Sequence, residues 1–263
     1  MPFQKSLPIV RIRLLLALVV IVLASCTHRR SDEVDLQRWA GARQLVLVTV
    51  PDWDSAGGTL RGYQRDASGW RAIGDPQPVT IGRTGAAWGL GLHDAQPGGP
   101  VKREGDGRAP AGVFAIGTAF GYAATAATKL PYAAMQASYY CIDVNDSPLY
   151  NQIVDARVVG QDAVEGSTEP MRRDIHAGGD QRYRLGFVIE HNPQAQPAGG
   201  SCIFAHLWKS PDDATAGCTA MDPAAMDALL AWLRPEQRPV FVLLPEQEYE
   251  RLKISWQLPL SPL

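Results

Sequence analysis

The apolar residues of this chain fall into one long run and several short ones. The long run is residues 14–23, without a polar interruption, and it lies behind Lys5, Arg11 and Arg13. Ten helical residues reach about 15 Å, half of a bilayer core of roughly 30 Å. A basic start followed by so short an apolar run reads as a signal peptide over residues 1–25, not as a membrane span. No later segment approaches spanning length. Residues 26–43 are polar, with Arg29, Arg30, Ser31, Asp32 and Glu33, and read as a tether that runs into a short helical stretch. Residues 44–263 then read as one domain.

Within that domain the short apolar runs have the period of strands. Residues 44–50 are a β-branched apolar run closed by Pro51, which predicts a strand. Gly57-Gly58 predicts a turn, and residues 62–70 and 77–83 read as further strands. Gly98-Gly99-Pro100 and Gly105-Asp106-Gly107 punctuate a loop, after which residues 113–116 resume a strand. The Ala-rich stretch 123–135 has no assignable period. Residues 139–144 read as a strand and residues 160–182 as a polar insertion with some helix. Tyr183, Leu185, Phe187 and Ile189 alternate with Arg184, Gly186, Val188 and Glu190, the period-2 mark of a strand. Residues 193–200 read as a loop and 201–208 as a short buried strand. Asp222-Pro223 is a helix start, an N-cap acceptor before Pro at N1. Met226, Leu229, Leu230 and Leu233 follow at helical spacing, Pro235 stops the helix, and residues 239–244 form a closing strand. The pattern predicts a mainly β domain with a few helices, of α+β class.

Charge and cysteines narrow the picture. Loss of residues 1–25 removes three basic residues and no acidic one, so the formal charge of −2 becomes −5. An acidic domain of this kind has no general electrostatic footprint for nucleic acid. Four cysteines are present: Cys26, Cys141, Cys202 and Cys218. Leu23-Ala24-Ser25-Cys26 resembles a lipobox, in which the cysteine is acylated and becomes the new N-terminus; an ordinary signal peptide with a chance cysteine is the alternative. The resemblance implies an exported, lipid-anchored protein. Thr27 is not the acidic residue that the resembled sorting rule links to inner-membrane retention, so the implied address is the periplasmic face of the outer membrane. With Cys26 under lipid, three cysteines remain, and at least one of them lacks an intramolecular partner.

The segment from Gly200 to Asp222 holds the candidate chemistry: His206 on a strand, then Thr215-Ala216-Gly217-Cys218. A cysteine nucleophile needs a base nearby, donors for the oxyanion and a tight backbone. Gly217 permits a sharp turn, backbone N–H groups of Gly217 and Cys218 are candidate oxyanion donors, and a helix opening just after Cys218 would add positive potential. A packed small cysteine beside a core histidine is the structural alternative. Zinc is disfavoured, because no paired Cys-x-x-Cys or His-x-x-x-His spacing accompanies these residues.

Ser201-Cys202-Ile203-Phe204-Ala205-His206 followed by Thr215-Ala216-Gly217-Cys218 resembles the signature of the L,D-transpeptidase (YkuD-type) family. Residues 105–114, with Ala109-Pro110-Ala111-Gly112-Val113-Phe114, resemble that family's upstream turn. The resemblance covers roughly residues 44–245. It implies a small β-sandwich or barrel-like sheet acting on peptidoglycan stem peptides, without metal or organic cofactor. Cys218 would form a thioester acyl-enzyme with His206 as general base and acid. The chain departs from the family pattern: Ala216 stands where a His often precedes Gly-Cys, Thr219-Ala220-Met221 replaces a common Arg, and the His-to-Cys separation is short. The acyl acceptor is therefore open among crosslinking, protein attachment and hydrolysis by an L,D-carboxypeptidase or amidase-type reaction. A non-catalytic wall-binding lipoprotein is the rival. With Cys26 lipidated and Cys218 as nucleophile, Cys141 and Cys202 become the disulfide candidates, two buried free thiols being the alternative. Thr215 and His191 are candidates for support of the site, His191 more simply as a strand-end cap. Asp143, Asn145, Asp146 and Asn151 form a polar loop that either lines a cleft or is solvated. Arg172, Arg173, Arg182 and Arg184 either bind substrate carboxylates or form a solvated face.

Overall fold

The computed structural model describes Met1 and residues 38–260, so the expected signal peptide beyond Met1, Cys26 and most of the expected tether lie outside the described residues. The last tether residues pack on the domain: Trp39 and Ala42 are buried, and the Trp39 ring meets Trp256 edge-on at 6.5 Å.

The described residues build thirteen strands. They are β1 (Gln44–Val50), β2 (Gly57–Asp66), β3 (Gly69–Thr80), β4 (Ala86–Trp88), β5 (Ala109–Gly121), β6 (Tyr132–Ala134), β7 (Tyr139–Cys141), β8 (Ile153–Asp155), β9 (Glu169–Pro170), β10 (Leu185–Ile189), β11 (Phe204–Leu207), β12 (Thr219–Met221) and β13 (Val240–Pro245). Two one-turn helices, α1 (Ala156–Val159) and α2 (Arg173–His176), sit in the 156–182 insertion. α3 (Pro223–Trp232) and α4 (Glu246–Leu252) flank β13.

β1 has all seven residues buried and is gripped by β2 antiparallel and β13 parallel. From β1 the sheet runs through β2, β3, β12, β11 and β10 on one side and through β13 and β5 on the other. β10 also pairs with β5, Leu185 opposite Gly121, which closes the eight strands into a barrel and leaves that ring without an edge. A separate sheet, β8-β7-β9, lies outside it. The architecture is mainly β with few helices.

The expected turn at Gly57-Gly58 is instead the start of β2. Gly58 serves close packing: a Cβ there would lie 2.6 Å from Thr49 O. The hairpin turn falls at residues 67–68, where Asp66 Oδ1 accepts from the N–H and hydroxyl of Ser68 at 2.8 and 2.6 Å. β5 runs well beyond residues 113–116 because its glycines make room for neighbours; a Cβ on Gly112 would collide with the His93 ring. The α3 start is as the sequence predicts: Asp222 Oδ1 accepts from Ala224 N at 2.8 Å with Pro223 at N1.

Two apolar clusters matter for the site. The main core takes Ala205 and Leu207 from β11 together with Leu45, Leu47 and Val113. A second cluster, on the other face of β11, gathers Phe204, Phe120, Tyr183, Cys141, Cys202 and Cys218. Tyr183 therefore does not share a face with Phe187, as strict alternation predicts. Residues Arg182–Arg184 form a 3₁₀ turn before β10, and the alternation restarts after it.

Candidate active site

Cys218 is set in place by a turn that Thr215 builds. The Thr215 N–H donates to Ile81 O and its carbonyl accepts from Arg83 N, each at 2.8 Å, fixing it to the end of β3. Thr215 Oγ1 then accepts from Gly217 N at 3.0 Å and donates to Cys218 O at 2.6 Å. Gly217 is required by a close approach, since a Cβ there would meet Arg108 O at 3.0 Å. The thiol points across to β11: the Phe204 N–H donates to Sγ at 3.3 Å, and the thiol donates to Cys202 O at 3.5 Å. Cys218 is 8% exposed and is the free cysteine among the described residues. Cys141 and Cys202 are joined by a disulfide with Cα atoms 5.9 Å apart, tying the outer sheet to the approach to β11.

Two sequence expectations change at this turn. The Gly217 N–H is engaged by Thr215 Oγ1, so it is not a free oxyanion donor. The helix does not open at Cys218 either; β12 intervenes, about 10 Å of extended chain, before α3 begins at Pro223. The ladder partners of β12 demand an extended chain there, which keeps the helix terminus away from the sulfur.

β11 and β12 run parallel, with His206 opposite Ala220. Side chains alternate along each strand, so Phe204, His206 and Cys218 share the outer face, with His206 one pleat, roughly 7 Å, beyond Phe204. His206 Nδ1 donates to Leu207 O at 2.8 Å, which leaves Nε2 as the acceptor nitrogen. Among the described residues no hydrogen bond joins His206 to Cys218. Tyr183 stands beside His206, its ring centroid 5.2 Å from the imidazole, and shares an apolar cluster with Cys218, while the Arg173 guanidinium that pairs with Glu169 at 3.1 Å lies 5.4 Å from its ring centroid. Neither Tyr183 nor Glu169 is legible as a site residue in the sequence, where Tyr183 looks like one more core position of a strand.

Burial pushes the Cys218 thiol up to about 12, and the charge of Glu169 acts in the same direction. Burial also lowers His206 to about 4. At neutral pH the pair is therefore a neutral thiol beside a neutral imidazole, not a preformed ion pair. Proton removal has to accompany attack.

The other candidates are accounted for by their partners. His191 is pinned at both nitrogens, accepting from Leu90 N at 3.2 Å and bonded to Gly199 O at 2.9 Å, which is a structural role. Asn151 donates to the carbonyls of His191 and Asn192 and accepts from Cys202 N, so it staples the loops around the disulfide. Asp143 binds Thr168, and Asn145 accepts from Ala198 N. Arg172 pairs with Asp174, Arg173 with Glu169 and Asp180, and Arg182 with Asp180. These three guanidiniums already hold carboxylates, and Arg184 is exposed. Among the described residues no group of three or more His, Cys, Asp or Glu is arranged to hold a metal ion, and no helix is long and apolar enough to cross a membrane.

Beside Phe204 a cavity of about 330 Å³ opens between the outer face of the barrel and the β7–β8 sheet. Phe120, Tyr139, Cys141, Val188, Glu190 and Ile203 line it with Phe204. It has the size and the apolar lining with a few polar groups that suit a small ligand or a peptide side chain. No family model, curated protein or solved structure matches the chain.

Proposed function

We propose that the protein is a cysteine acyltransferase of the bacterial cell wall, an L,D-transpeptidase with a YkuD-type domain acting on peptidoglycan stem peptides. The observation that carries this reading is the placement of Cys218. It is a free thiol on a turn clamped by Thr215, on the same face as His206, with a backbone N–H aimed at its sulfur and an aromatic cavity beside Phe204. This is the constellation the sequence resemblance implies. Cys218 sulfur attacks the carbonyl carbon between a diaminopimelate-type residue and D-alanine while the thiol proton passes to His206. The C–N bond breaks, the proton returns to the departing amine, and a thioester remains. An incoming amine then displaces the sulfur; water in its place gives carboxypeptidase activity. The amide carbonyl entering near Phe204 meets a donor already directed at the sulfur, which supports charge building on oxygen. A lipid on Cys26 would hold the domain at the periplasmic face of the outer membrane.

A second reading has its own observation. Thiol and imidazole are both held neutral and do not touch, as expected of a wall-binding protein that keeps the fold without turnover. Intact-mass analysis after carbapenem treatment separates the two, since a carbapenem acylates the enzymes of the resembled family. A single adduct that Cys218→Ala abolishes, together with new crosslinked or trimmed muropeptides from isolated wall, supports the enzyme. A protein that forms no adduct and leaves muropeptides unchanged while still sedimenting with the wall is the binder. Adduct formation on Cys141 or Cys202 sinks the mechanism.

A further inference from the structure

A basic cleft lies at the end of the barrel where the chain enters the domain, and we infer that it is a docking site for an anionic lipid surface. The cleft has a volume of about 580 Å³ and runs between the β2–β3 hairpin and the segment after α4, with Arg61, Arg65, Trp70, Lys253, Ile254 and Leu260 in its lining. Arg61, Tyr63 and Arg65 alternate with Gly62 and Gln64, so pleating puts both guanidiniums on one face of β2. Arg65 donates to Gln257 Oε1 at 2.8 Å and to Ala40 O at 3.4 Å, and Arg61 Nε donates to Gly74 O at 3.2 Å. These acceptors are neutral and leave both charges standing. Lys253 is offset by Glu250 at 2.5 Å, and among the described residues no carboxylate lines the cleft. Trp70 Nε1 donates to Gln257 O at 2.7 Å and its ring lies 5.4 Å from the Arg65 guanidinium, so the indole is fixed beside the charge. Ile254 and Leu260 are large apolar side chains left in water, each 70% exposed, and both border this cleft.

Cations on apolar stems, an indole and exposed aliphatic side chains on one face suit the boundary between lipid headgroups and acyl chains. The arginines meet phosphate oxygens, and the aliphatic pair gains by leaving water. A soluble anion would use the first and not the second. The place of the cleft favours the same occupant. Arg65 holds Ala40, and Trp39 meets Trp256, so the domain begins beside the cleft. The chain from Cys26 to Arg38 spans at most about 43 Å when extended. On the reading that Cys26 carries lipid, this keeps the cleft close to the membrane surface. β3 then sets the orientation. Trp70 stands at its start, and its far end holds the Cys218 turn, through Thr80 opposite Ala220 and Ile81 bonded to Thr215. The strand between Trp70 and Thr80 covers up to about 34 Å. Docking at the cleft therefore turns the Cys218 end away from lipid, toward the wall.

The test places an environment-sensitive fluorophore on the full chain, at Ser255→Cys beside the cleft or at Ser210→Cys near the Cys218 end; both serines are exposed. The labelled protein is reconstituted in phosphatidylcholine vesicles with or without phosphatidylglycerol. With phosphatidylglycerol present, the probe at residue 255 should shift to the blue and be quenched by spin-labelled lipid, and the probe at residue 210 should do neither. Arg61→Gln and Arg65→Gln should each lower the ratio of docked to free domain about fivefold, the weight of one basic residue near an anionic surface. Added salt should lower it further. Ile254→Ser, a surface change that leaves both arginines in place, should lower it as well, and far-ultraviolet circular dichroism confirms that each variant is folded. Equal quenching at residue 255 with and without phosphatidylglycerol overturns the inference. So does quenching at residue 210 as strong as at residue 255, or docking that survives Arg61→Gln combined with Ile254→Ser. Sedimentation of the same samples reports the anchor separately: a chain that sediments with the vesicles but shows no quenching at residue 255 fails the docking inference alone. The readout uses neither wall nor carbapenem, so it is distinct from any failure of the acyl-transfer reading.

Discussion

Three histidines of this domain lie in the same kind of environment and are wired differently. His93 and His191 pack on either side of Phe114 at 5.7 and 5.8 Å and His206 lies on the outer face of the barrel, and burial lowers each of the three to about 4. His191 is bonded at both nitrogens to backbone from two loops, and His93 accepts from Val113 N through Nδ1 with its ring packed among Trp88, Phe114 and Trp256. His206 has one backbone bond, through Nδ1, and stands against Tyr183 on the face that carries Cys218. Burial alone therefore does not mark a site. The mark is a buried imidazole with a nitrogen left over, beside a thiol that has no disulfide partner.

Substitution separates the two kinds of histidine most strongly. His206→Ala should slow acylation of Cys218 by about 10²–10⁴-fold, the range for loss of a general base, with partial recovery at higher pH as more thiolate forms unaided. His191→Ala should leave the acylation rate per folded molecule within a few-fold of wild type and lower stability by about 2–4 kcal/mol, because two backbone groups lose their partner. Carbapenem acylation rates beside urea denaturation curves read both; a His191→Ala enzyme as dead as His206→Ala would erase the distinction.

Acid should act on all three together. Their folded values, about 4, lie below the 6.5 of the unfolded chain, so the unfolded state binds protons first as pH falls. Stability is therefore complete above about pH 6.5 and is lost progressively down to pH 4, by roughly 2–3 kcal/mol for each histidine. Denaturation midpoints at pH 7 and pH 4.5 test the sign; an unchanged midpoint contradicts it. Asp180, held well below the usual carboxylate range by bonds from Arg182 and Arg173 despite its burial, loses its contribution only in stronger acid.

The disulfide and the cap of α3 are the smaller terms. Reduction of Cys141–Cys202, or Cys202→Ala, should cost about 2–4 kcal/mol and leave the carbapenem adduct on Cys218, as thermal melts and peptide mapping would show. Asp222→Ala removes the acceptor for Ala224 N and should cost about 1 kcal/mol, with no change in Cys218 reactivity.

What was legible in the sequence is local. β1 follows from a β-branched run ended by Pro51, and the start of α3 from Asp222-Pro223. Cys218 and His206 stand out because a thiol after Gly and a strand histidine are rare and chemically specific residues. Such features depend on neighbours within a few positions, where steric preference and hydrogen-bonding reach are set by residue type. Closure of the barrel through β10 and β5 is of another kind, since it joins residues 121 and 185 and depends on every strand between them. So is the glycine at 58, which local preference assigns to a turn and which packing against Thr49 places in a strand. The pairing of Cys141 with Cys202 was open until an outer sheet brought two distant segments within bonding distance. Tyr183 shows the limit most clearly: a single 3₁₀ turn moves it from the barrel core to the outer face, and Phe120, Phe204 and Arg173 from three separate segments then meet around its ring. Side-chain alternation carries information along a strand, but only the folded chain decides where the alternation restarts and which acceptors stand on the other side.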